Sequence, residues 1–202
     1  MNMHWLRNED EEEGEEKKEK NGFPSFLLKT RTIVLSGQVD QELAEKVISQ
    51  LIVLDNDNSD PIKIIVTTQG GHVDSGYAIH DMMRFVRSEV YTIGAGWVAS
   101  IGVPILLGAP KKENRVSLPN TRFLLHQPSG GAGGQLQDLR IEAQEILKIR
   151  QKLNELIATE SGQTVDKIAH DSDRNFWMSA EEARKYGLVS RVIKNVQELG
   201  GK

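Results

Sequence analysis

Ser100 is the residue best placed by the sequence to act as a nucleophile. It lies in a stretch rich in glycine and alanine, between an apolar run that ends at Ile93 and another that begins at Val103. This pattern predicts a strand, a turn of small residues and then a helix with Ser100 in its first turn. There, free N–H groups and the helix dipole favour the negative charge that develops when a hydroxyl attacks a carbonyl. A serine at this point is also typical of an ordinary N-cap, and Val98 breaks the G-x-S-x-G pattern.

Two further positions could complete acyl-transfer chemistry. His126 closes the apolar run Phe123–Leu125 and precedes a glycine-rich segment, which suits a general base, although a lone histidine is more often structural. Gly70 and Gly71 stand between a β-branched run and a helical pattern. They could form a simple tight turn, or they could aim a backbone N–H at an oxyanion.

The elements that must position these residues alternate between strand and helix. Strands are predicted at 33–35, 62–68, 90–93, 115–118, 123–125 and 189–193, from short apolar or β-branched runs. Helices are predicted at 40–54, 75–87, 136–161, 164–169 and 179–187. Asp40 caps the first of these helices. A capping box at 179–182 opens the last one, which ends at Gly187. Alternation of this kind predicts an α/β fold with parallel strand pairing.

The helix predicted from Leu136 to Ser161 is longer than a small domain needs. At 1.5 Å per residue it would extend on the order of 40 Å before Gly162 stops it. We therefore expect part of this helix to pack on another subunit.

Composition limits the function classes further. The chain of 202 residues has no cysteine, which excludes disulfides and thiolate metal sites. Residues 1–20 contain eight acidic and four basic side chains, so they account for the whole net charge of −4 and leave a neutral body. A neutral body argues against a nucleic-acid partner. We expect a disordered acidic tail at 1–22, one domain at 23–195 and a flexible end at 196–202. Without an apolar signal segment or membrane span, the predicted location is cytoplasmic.

Several motifs occur in order along the chain together with these candidate residues. They are Gly70-Gly71 before a helix, Ala99-Ser100-Ile101-Gly102, Leu118-Pro119-Asn120, His126-Gln127-Pro128, Gly134-Gln135 with Asp138, the Glu145-Ile146-Leu147 helix, Asp173-Arg174, and Met178 to Ala183 with Tyr186-Gly187-Leu188. From Phe26 to Ile193 the chain resembles the ClpP family, the proteolytic subunits of the ATP-dependent Clp protease. The resemblance implies a ClpP/crotonase-like right-handed spiral of ββα units with a long protruding handle helix.

The resemblance also implies roles for individual residues. Ser100 would be the nucleophile of a serine endopeptidase and His126 its general base, with the N–H groups of Gly71 and Ile101 as the oxyanion hole. An extended peptide would pair with backbone on two sides. The strand-binding residues would be Gly70, Gly71, His72 and Val73 on one side, and Ser129, Gly130 and Gly131 within the run 129–134 on the other.

Assembly and partners follow from the same resemblance. Two stacked seven-membered rings are implied, on the order of 14 subunits by closed symmetry, with Gln135, Asp173 and Arg174 at ring contacts. Unfolded chains and short peptides would be the substrates, delivered by an AAA+ unfoldase. The chain lacks the phosphate-loop pattern G-x-x-x-x-G-K-[ST], so we expect ATP to be used by that partner and no cofactor or metal in this chain.

Asn175 departs from the family pattern, because the third triad member there is an aspartate. The amide oxygen can accept the His126 Nδ1–H, but it carries no charge to stabilise the imidazolium. In serine proteases this change costs about 10⁴ in turnover. Asp171 and Asp173 are near in sequence, but either would require local rearrangement. If the amide oxygen faces His126, we expect weak activity that a second ClpP-type subunit could raise in mixed rings. If the amide nitrogen faces it instead, the tautomer is reversed and the subunit is nearly silent.

Two other classes remain open from the sequence. One is an inactive or dependent ClpP-like subunit with a structural role in mixed rings, favoured by Asn175 and disfavoured by the presence of Ser100 and His126. The other is a crotonase-type acyl-CoA enzyme, which shares the fold and an oxyanion hole but needs no serine–histidine pair.

Overall fold

The computed structural model describes residues 26–128 and 135–199. The predicted acidic tail at 1–22, the expected start of the domain at residue 23 and the glycine-rich run 129–134 lie outside these ranges. Strands are β1 (Thr32–Val39), β2 (Ile62–Gly71), β3 (Val90–Ala99), β4 (Arg115–Ser117), β5 (Arg122–Leu125), β6 (Phe176–Ser179) and β7 (Arg191–Val192). Helices are α1 (Gln41–Asp57), α2 (Val73–Phe85), α3 (Gly102–Leu106), α4 (Leu136–Ser161), α5 (Val165–Asp171) and α6 (Ala180–Tyr186).

The strands form one seven-stranded sheet whose main path is β1-β2-β3-β4-β7. All neighbours on this path are parallel, which confirms the predicted α/β class with parallel pairing. Strand β3 divides its pairing: residues 92–94 pair with β4, and residues 97–99 pair in parallel with β5. Strand β6 then adds to β5 in the antiparallel direction. The carboxyl ends of β3 and β5 therefore lie side by side.

Burial follows the pleat of the strands and the apolar stripe of the helices. In β2 every second residue from Ile62 to Thr68 is fully buried, while the residues between them are half-buried. Helix α1 packs Val47, Leu51 and Leu54 into the same core. Its predicted cap is confirmed, since the Asp40 side chain accepts a hydrogen bond from the Leu43 N–H at 2.8 Å. Strand β2 and helix α1 therefore share one hydrophobic core.

Several boundaries differ from the prediction, and two of the differences fall at the site. Strand β2 continues through Gly71, and β3 continues through Ala99 instead of ending at residue 93. Strand β6 is one that the sequence pattern does not predict, and β7 is two residues long where five are expected. Glycines weaken a strand on average, but here Gly70 and Gly71 pair with Gln38 and Val39 of the neighbouring strand.

Helix α4 has the predicted bounds, and Gly162 ends it with a left-handed φ of 80°. Only its C-terminal half packs on the core, where Asn154, Ile157 and Ala158 are buried. The N-terminal half carries exposed apolar side chains, with Leu136 80% exposed. Within the parts of the chain that the structure describes, no helix is long and apolar enough to cross a membrane.

A buried ion-pair cluster joins the end of α4 to the sheet. The guanidinium of Arg115 is fully buried and donates to Glu160 Oε2 at 2.5 Å and to the carbonyl of Ala109 at 2.8 Å. Arg84 of α2 lies 3.3 Å from the other carboxylate oxygen of Glu160. Because β4, α2 and α4 each contribute one side chain, the cluster fixes the C-terminal end of α4 against the sheet.

Candidate active site

Ser100 occupies a strained turn between β3 and α3. Its φ is +56°, a left-handed conformation that non-glycine residues rarely adopt. The Ser100 N–H donates to the Leu124 carbonyl of β5 at 2.9 Å, and the chain enters α3 only at Gly102. The prediction that Ser100 lies in the first helical turn is wrong, and so is its interpretation as an N-cap, because Ile101 holds that position. The result is a sharp strand-to-helix turn that presents the serine side chain, as in a nucleophile elbow.

Gly70 lies in direct contact with this turn. A Cβ on Gly70 would stand 2.6 Å from Ser100 Cβ and 2.9 Å from the Ala99 carbonyl oxygen. Gly70 also has φ +96°, which a side chain would disfavour. A residue with a side chain therefore cannot fit here without moving Ser100.

Gly71, the next residue, has φ +154° and packs as tightly against β1. A Cβ there would overlap the Val39 carbonyl oxygen at 2.1 Å. The two glycines thus end a paired strand beside Ser100, and the simple tight turn that the sequence allowed is not what forms.

His126 and Asn175 are brought together by the register of β5 and β6. The last pair of this antiparallel ladder is Leu125 with Phe176. His126 directly follows Leu125 and Asn175 directly precedes Phe176, so the two residues leave the same end of the ladder. Both line one open cavity.

His126 lines two cavities of different character. One is a partly enclosed cavity that it shares with Ser100, and the other is an open one that it shares with Asn175 and Asp173. The imidazole is half-buried, and its burial lowers the pKa of His126 below the ordinary value because the charged form loses solvation. A neutral imidazole is the form that can accept a proton from a serine.

The side chains of Ser100, His126 and Asn175 form no hydrogen bond with one another or with any other residue in 26–128 and 135–199. Catalytic hydrogen bonds in unliganded enzymes are often long and tighten when substrate binds. Asn175 is exposed to solvent. The expected pairing of its amide with His126 Nδ1 therefore stays a prediction.

The backbone N–H of Ile101, the residue after Ser100, could donate a hydrogen bond to a substrate oxygen. Ile101 is 2% exposed, and its N–H donates to no acceptor in the described parts of the chain. Buried N–H groups are nearly always paired, so an unpaired one next to a serine is suited to receive an oxyanion. Among the same residues no group of three or more histidine or carboxylate side chains could hold a metal ion.

Asp171 and Asp173, the two aspartates near Asn175 in sequence, form hydrogen bonds and ion pairs with residues other than His126. Asp171 accepts hydrogen bonds from Tyr186 Oη at 2.7 Å and Lys167 Nζ at 2.5 Å, and these contacts lower its pKa against the opposing effect of burial. Asp173 accepts from Gln127 Nε2 at 3.3 Å and lies 4.0 Å from Arg174 Nε. Within the described ranges, neither carboxylate forms a hydrogen bond or an ion pair with His126.

Other residues singled out in the sequence lie around this centre. Val73 lines the cavity beside Ser100, while His72 is exposed and its Nδ1 lies 2.9 Å from Ser75 Oγ. Arg174 has a side chain 95% exposed, and Gln135, also exposed, stands at the N-terminus of α4 without a capping hydrogen bond. The residues expected on the other side of a peptide, Ser129, Gly130 and Gly131, lie outside the described residues.

Two residues that sequence reasoning missed also line the cavity at Ser100: Asn154 of α4 and Ser172 at the end of α5. Asn154 could have been noticed, because a polar residue stands there on the face that buries Ile157 and Ala158. Ser172 gives no such signal in the sequence.

Comparison with protein families matches residues 14–196 to the family described as Clp protease. A curated relative, the ATP-dependent Clp protease proteolytic subunit 3 of Rhizobium meliloti strain 1021, is 49% identical over 96% of this chain and the whole of its own length. The proteolytic subunit 3 of Rhizobium etli is 50% identical over 86% of this chain and 89% of that relative. The chain therefore belongs to the Clp protease family.

A solved structure supports the same conclusion about the fold. An Asn-to-Asp mutant of ClpP1 from Listeria monocytogenes is 46% identical and superimposes with a TM-score of 0.81, covering 88% of this chain and 99% of that one. The ClpP-like fold with a long handle helix is thus confirmed. Membership in a family of proteolytic subunits favours a protease over the acyl-CoA enzyme that the sequence left open.

Proposed function

We propose that this chain is a serine endopeptidase subunit that cleaves unfolded polypeptides and short peptides. Ser100 is the nucleophile, His126 the general base, and the N–H groups of Gly71 and Ile101 hold the oxyanion. The observation that carries the proposal is the strained turn at Ser100, held against the Gly70 backbone and open to the cavity shared with His126. Strain of this kind persists where the surrounding structure demands it, and it clusters at active sites.

The mechanism follows from the positions of the side chains. Neutral His126 takes the proton of the Ser100 hydroxyl as the serine oxygen bonds to the substrate carbonyl carbon. The resulting oxyanion accepts hydrogen bonds from backbone N–H groups, and the protonated imidazole then delivers its proton to the leaving amine. Water, activated by the same imidazole, releases the acyl group from Ser100. Asn175 orients the imidazole through its amide oxygen but adds no negative charge, so turnover is slow.

Assembly and partners are part of the same proposal. The exposed Leu136, Ile141 and Leu147 of α4 and the 95% exposed side chain of Arg174 support ring-to-ring contacts, since large exposed apolar side chains mark interaction surfaces. We assign Gln135, Asp173 and Arg174 to these contacts, an AAA+ Clp unfoldase to the partner role, and ATP use to that partner. The protein works in the cytoplasm, without a metal or cofactor of its own.

The test of the activity is peptide hydrolysis by the pure protein and by Ser100→Ala. We expect slow hydrolysis that disappears in the variant while the secondary structure and oligomeric state stay the same. Equal hydrolysis by both proteins would refute the assignment. Native mass spectrometry at micromolar concentration tests the assembly: rings are expected, and monomers alone would contradict them.

A second function is favoured by one observation. Asn175 is exposed and forms no hydrogen bond with His126 among the described residues, which suits a structural subunit that depends on an active partner in mixed rings. In that case Ser100→Ala would leave the hydrolysis by mixed rings unchanged, whereas a contributing subunit would lower it.

A further inference from the structure

Thr68 connects the glycine segment beside Ser100 to the neighbouring strand. It lies in β2, two residues before Gly70, and its side chain is fully buried. Its hydroxyl donates to the Gly37 carbonyl of β1 and accepts a hydrogen bond from the Gly70 N–H at 3.0 Å. One oxygen atom therefore joins a carbonyl of β1 to an N–H of β2.

This hydroxyl bridges an irregularity in the pairing of the two strands. Strand β1 advances two residues between positions 36 and 38, whereas β2 advances three between Thr67 and Gly70. A bulge of this kind leaves one residue outside the ladder and bends the strand. Because Thr68 Oγ1 bonds to Gly37 on one strand and to Gly70 on the other, it fixes the backbone where the ladder resumes.

The register after the bulge decides where the Gly71 N–H points. The following N–H, that of His72, donates to the Val39 carbonyl of β1 at 2.7 Å. Successive N–H groups of an extended strand point to opposite sides in the plane of the sheet, so the Gly71 N–H points away from β1 and towards β3. Ser100 directly follows β3, so this is the side of the nucleophile.

The methyl group of Thr68 contacts the other half of the site. A Cβ on Gly102, the first residue of α3, would stand 2.6 Å from Thr68 Cγ2. Thr68 thus touches both the glycine segment and the start of the helix that follows Ser100. Valine at position 68 would keep the methyl contact and lose the hydroxyl, whereas serine would keep the hydroxyl and lose the methyl group.

Resting on the proposed function, we propose that Thr68 is a positioning residue whose hydroxyl aims the Gly71 N–H at the oxyanion. Hydrogen bonds to an oxyanion act mainly in the transition state, and loss of one such donor costs about 10²–10³ in kcat. Without the hydroxyl this donor is displaced and not deleted. We therefore expect Thr68→Val to lower kcat by about tenfold or more and to leave KM nearly unchanged.

The experiment measures kcat and KM for a short peptide with the intact chain, Thr68→Val and Thr68→Ser, with the rate of Ser100→Ala subtracted. Thr92→Val is the matched control, because Thr92 is also fully buried in the sheet and its Oγ1 donates to the Leu106 carbonyl at 2.7 Å. Urea denaturation of each variant gives the loss of stability, so that an effect on kcat can be told apart from partial unfolding.

The expected result is a kcat that falls by about tenfold or more in Thr68→Val and stays within about threefold of the intact chain in Thr68→Ser and Thr92→Val. An unchanged kcat in folded Thr68→Val would overturn the inference, and so would an equal loss in Thr68→Ser or Thr92→Val. If Thr68→Val does not fold, Thr68→Ala takes its place, with the same expected result.

Hydrogen exchange separates this inference from the proposed activity, because it requires no turnover. The backbone of residues 68–73 should exchange faster in Thr68→Val than in the intact chain, while Thr68→Ser and Thr92→Val leave it unchanged. If the intact chain shows no Ser100-dependent hydrolysis, the proposed function fails, and the exchange decides whether the hydroxyl fixes the glycine segment. Equal exchange in all four proteins overturns the inference whether or not hydrolysis is found.

Discussion

His126 and Asn175 each stand one residue beyond the last pair of the β5–β6 ladder, Leu125 with Phe176, and both line one open cavity. The asparagine therefore lies at the same cavity as the imidazole without any rearrangement of the backbone. Asp171, by contrast, is bonded to Tyr186 and Lys167. Because residues 126 and 175 share this cavity, the charge at position 175 is expected to control activity.

Replacing Asn175 by aspartate should raise turnover. The new carboxylate would fix the imidazole tautomer and stabilise the imidazolium that forms as Ser100 loses its proton. We expect kcat to increase at least tenfold, about 1.4 kcal/mol of barrier. Steady-state hydrolysis of a short peptide measures this, with Asn120→Asp as a control that adds the same charge at an exposed turn. No gain at 175, or an equal gain at 120, would contradict the proposed role.

The dependence of activity on pH should report the low pKa of His126. Burial disfavours the imidazolium, so the pKa of His126 lies below its ordinary value and the base stays neutral to a lower pH. Hydrolysis should fall about tenfold per pH unit only below this shifted value. In Asn175→Asp the carboxylate favours the charged form, so the fall should begin at higher pH. A midpoint above the ordinary histidine value of about 6.5 in the unmodified chain would be inconsistent with this environment.

Adding one methyl group at Gly70 should lower activity by about 10²-fold. An alanine Cβ would overlap Ser100 Cβ at 2.6 Å, and displacing the nucleophile by about 1 Å can cost 10²-fold in rate. Gly37 is a matched control, because it has a similar φ of +88° and an added Cβ there would meet nothing within 4 Å. Gly37→Ala should therefore lower stability by about 1–2 kcal/mol and leave kcat nearly unchanged. If both variants retain activity, contact with Gly70 does not position Ser100.

Removing the carboxylate of Glu160 should lower the stability of the fold at the C-terminal end of α4. Glu160→Leu would leave the fully buried Arg115 guanidinium without its charged partner, and loss of one partner of such a pair costs about 3–5 kcal/mol. Urea denaturation measures the change in the free energy of unfolding. The control is Glu145→Leu in the same helix, where the partner Lys148 is largely exposed and little change is expected. Equal losses would indicate a helix-propensity effect instead.

Much of the scaffold could be predicted because its signals are local. The α4 bounds follow from apolar periodicity and Gly162, and the capping box of α6 is present as Ser179 and Glu182. The turn at Ser100 could not be predicted as it is, since its positive φ depends on the Gly70 backbone and on Leu124, both distant in sequence.

The position of Asn175 near His126 also depends on residues that are distant in sequence. Strand β6 has only four residues and no alternation that a sequence pattern would detect, so it forms because β5 offers an edge. Without β6, the sequence indicated Asn175 only through resemblance to relatives. Sequence patterns therefore could not predict the contacts between residues that are distant in sequence.

Whether Ser100 is an activated nucleophile is tested most directly by labelling with a fluorophosphonate. The intact chain is incubated with the probe at neutral pH, digested, and mapped by mass spectrometry, alongside Ser100→Ala and His126→Ala. The account predicts a single adduct on the peptide that contains Ser100, absent in Ser100→Ala and strongly reduced in His126→Ala. Folded protein that acquires no adduct at Ser100, or that labels equally well without His126, would contradict it.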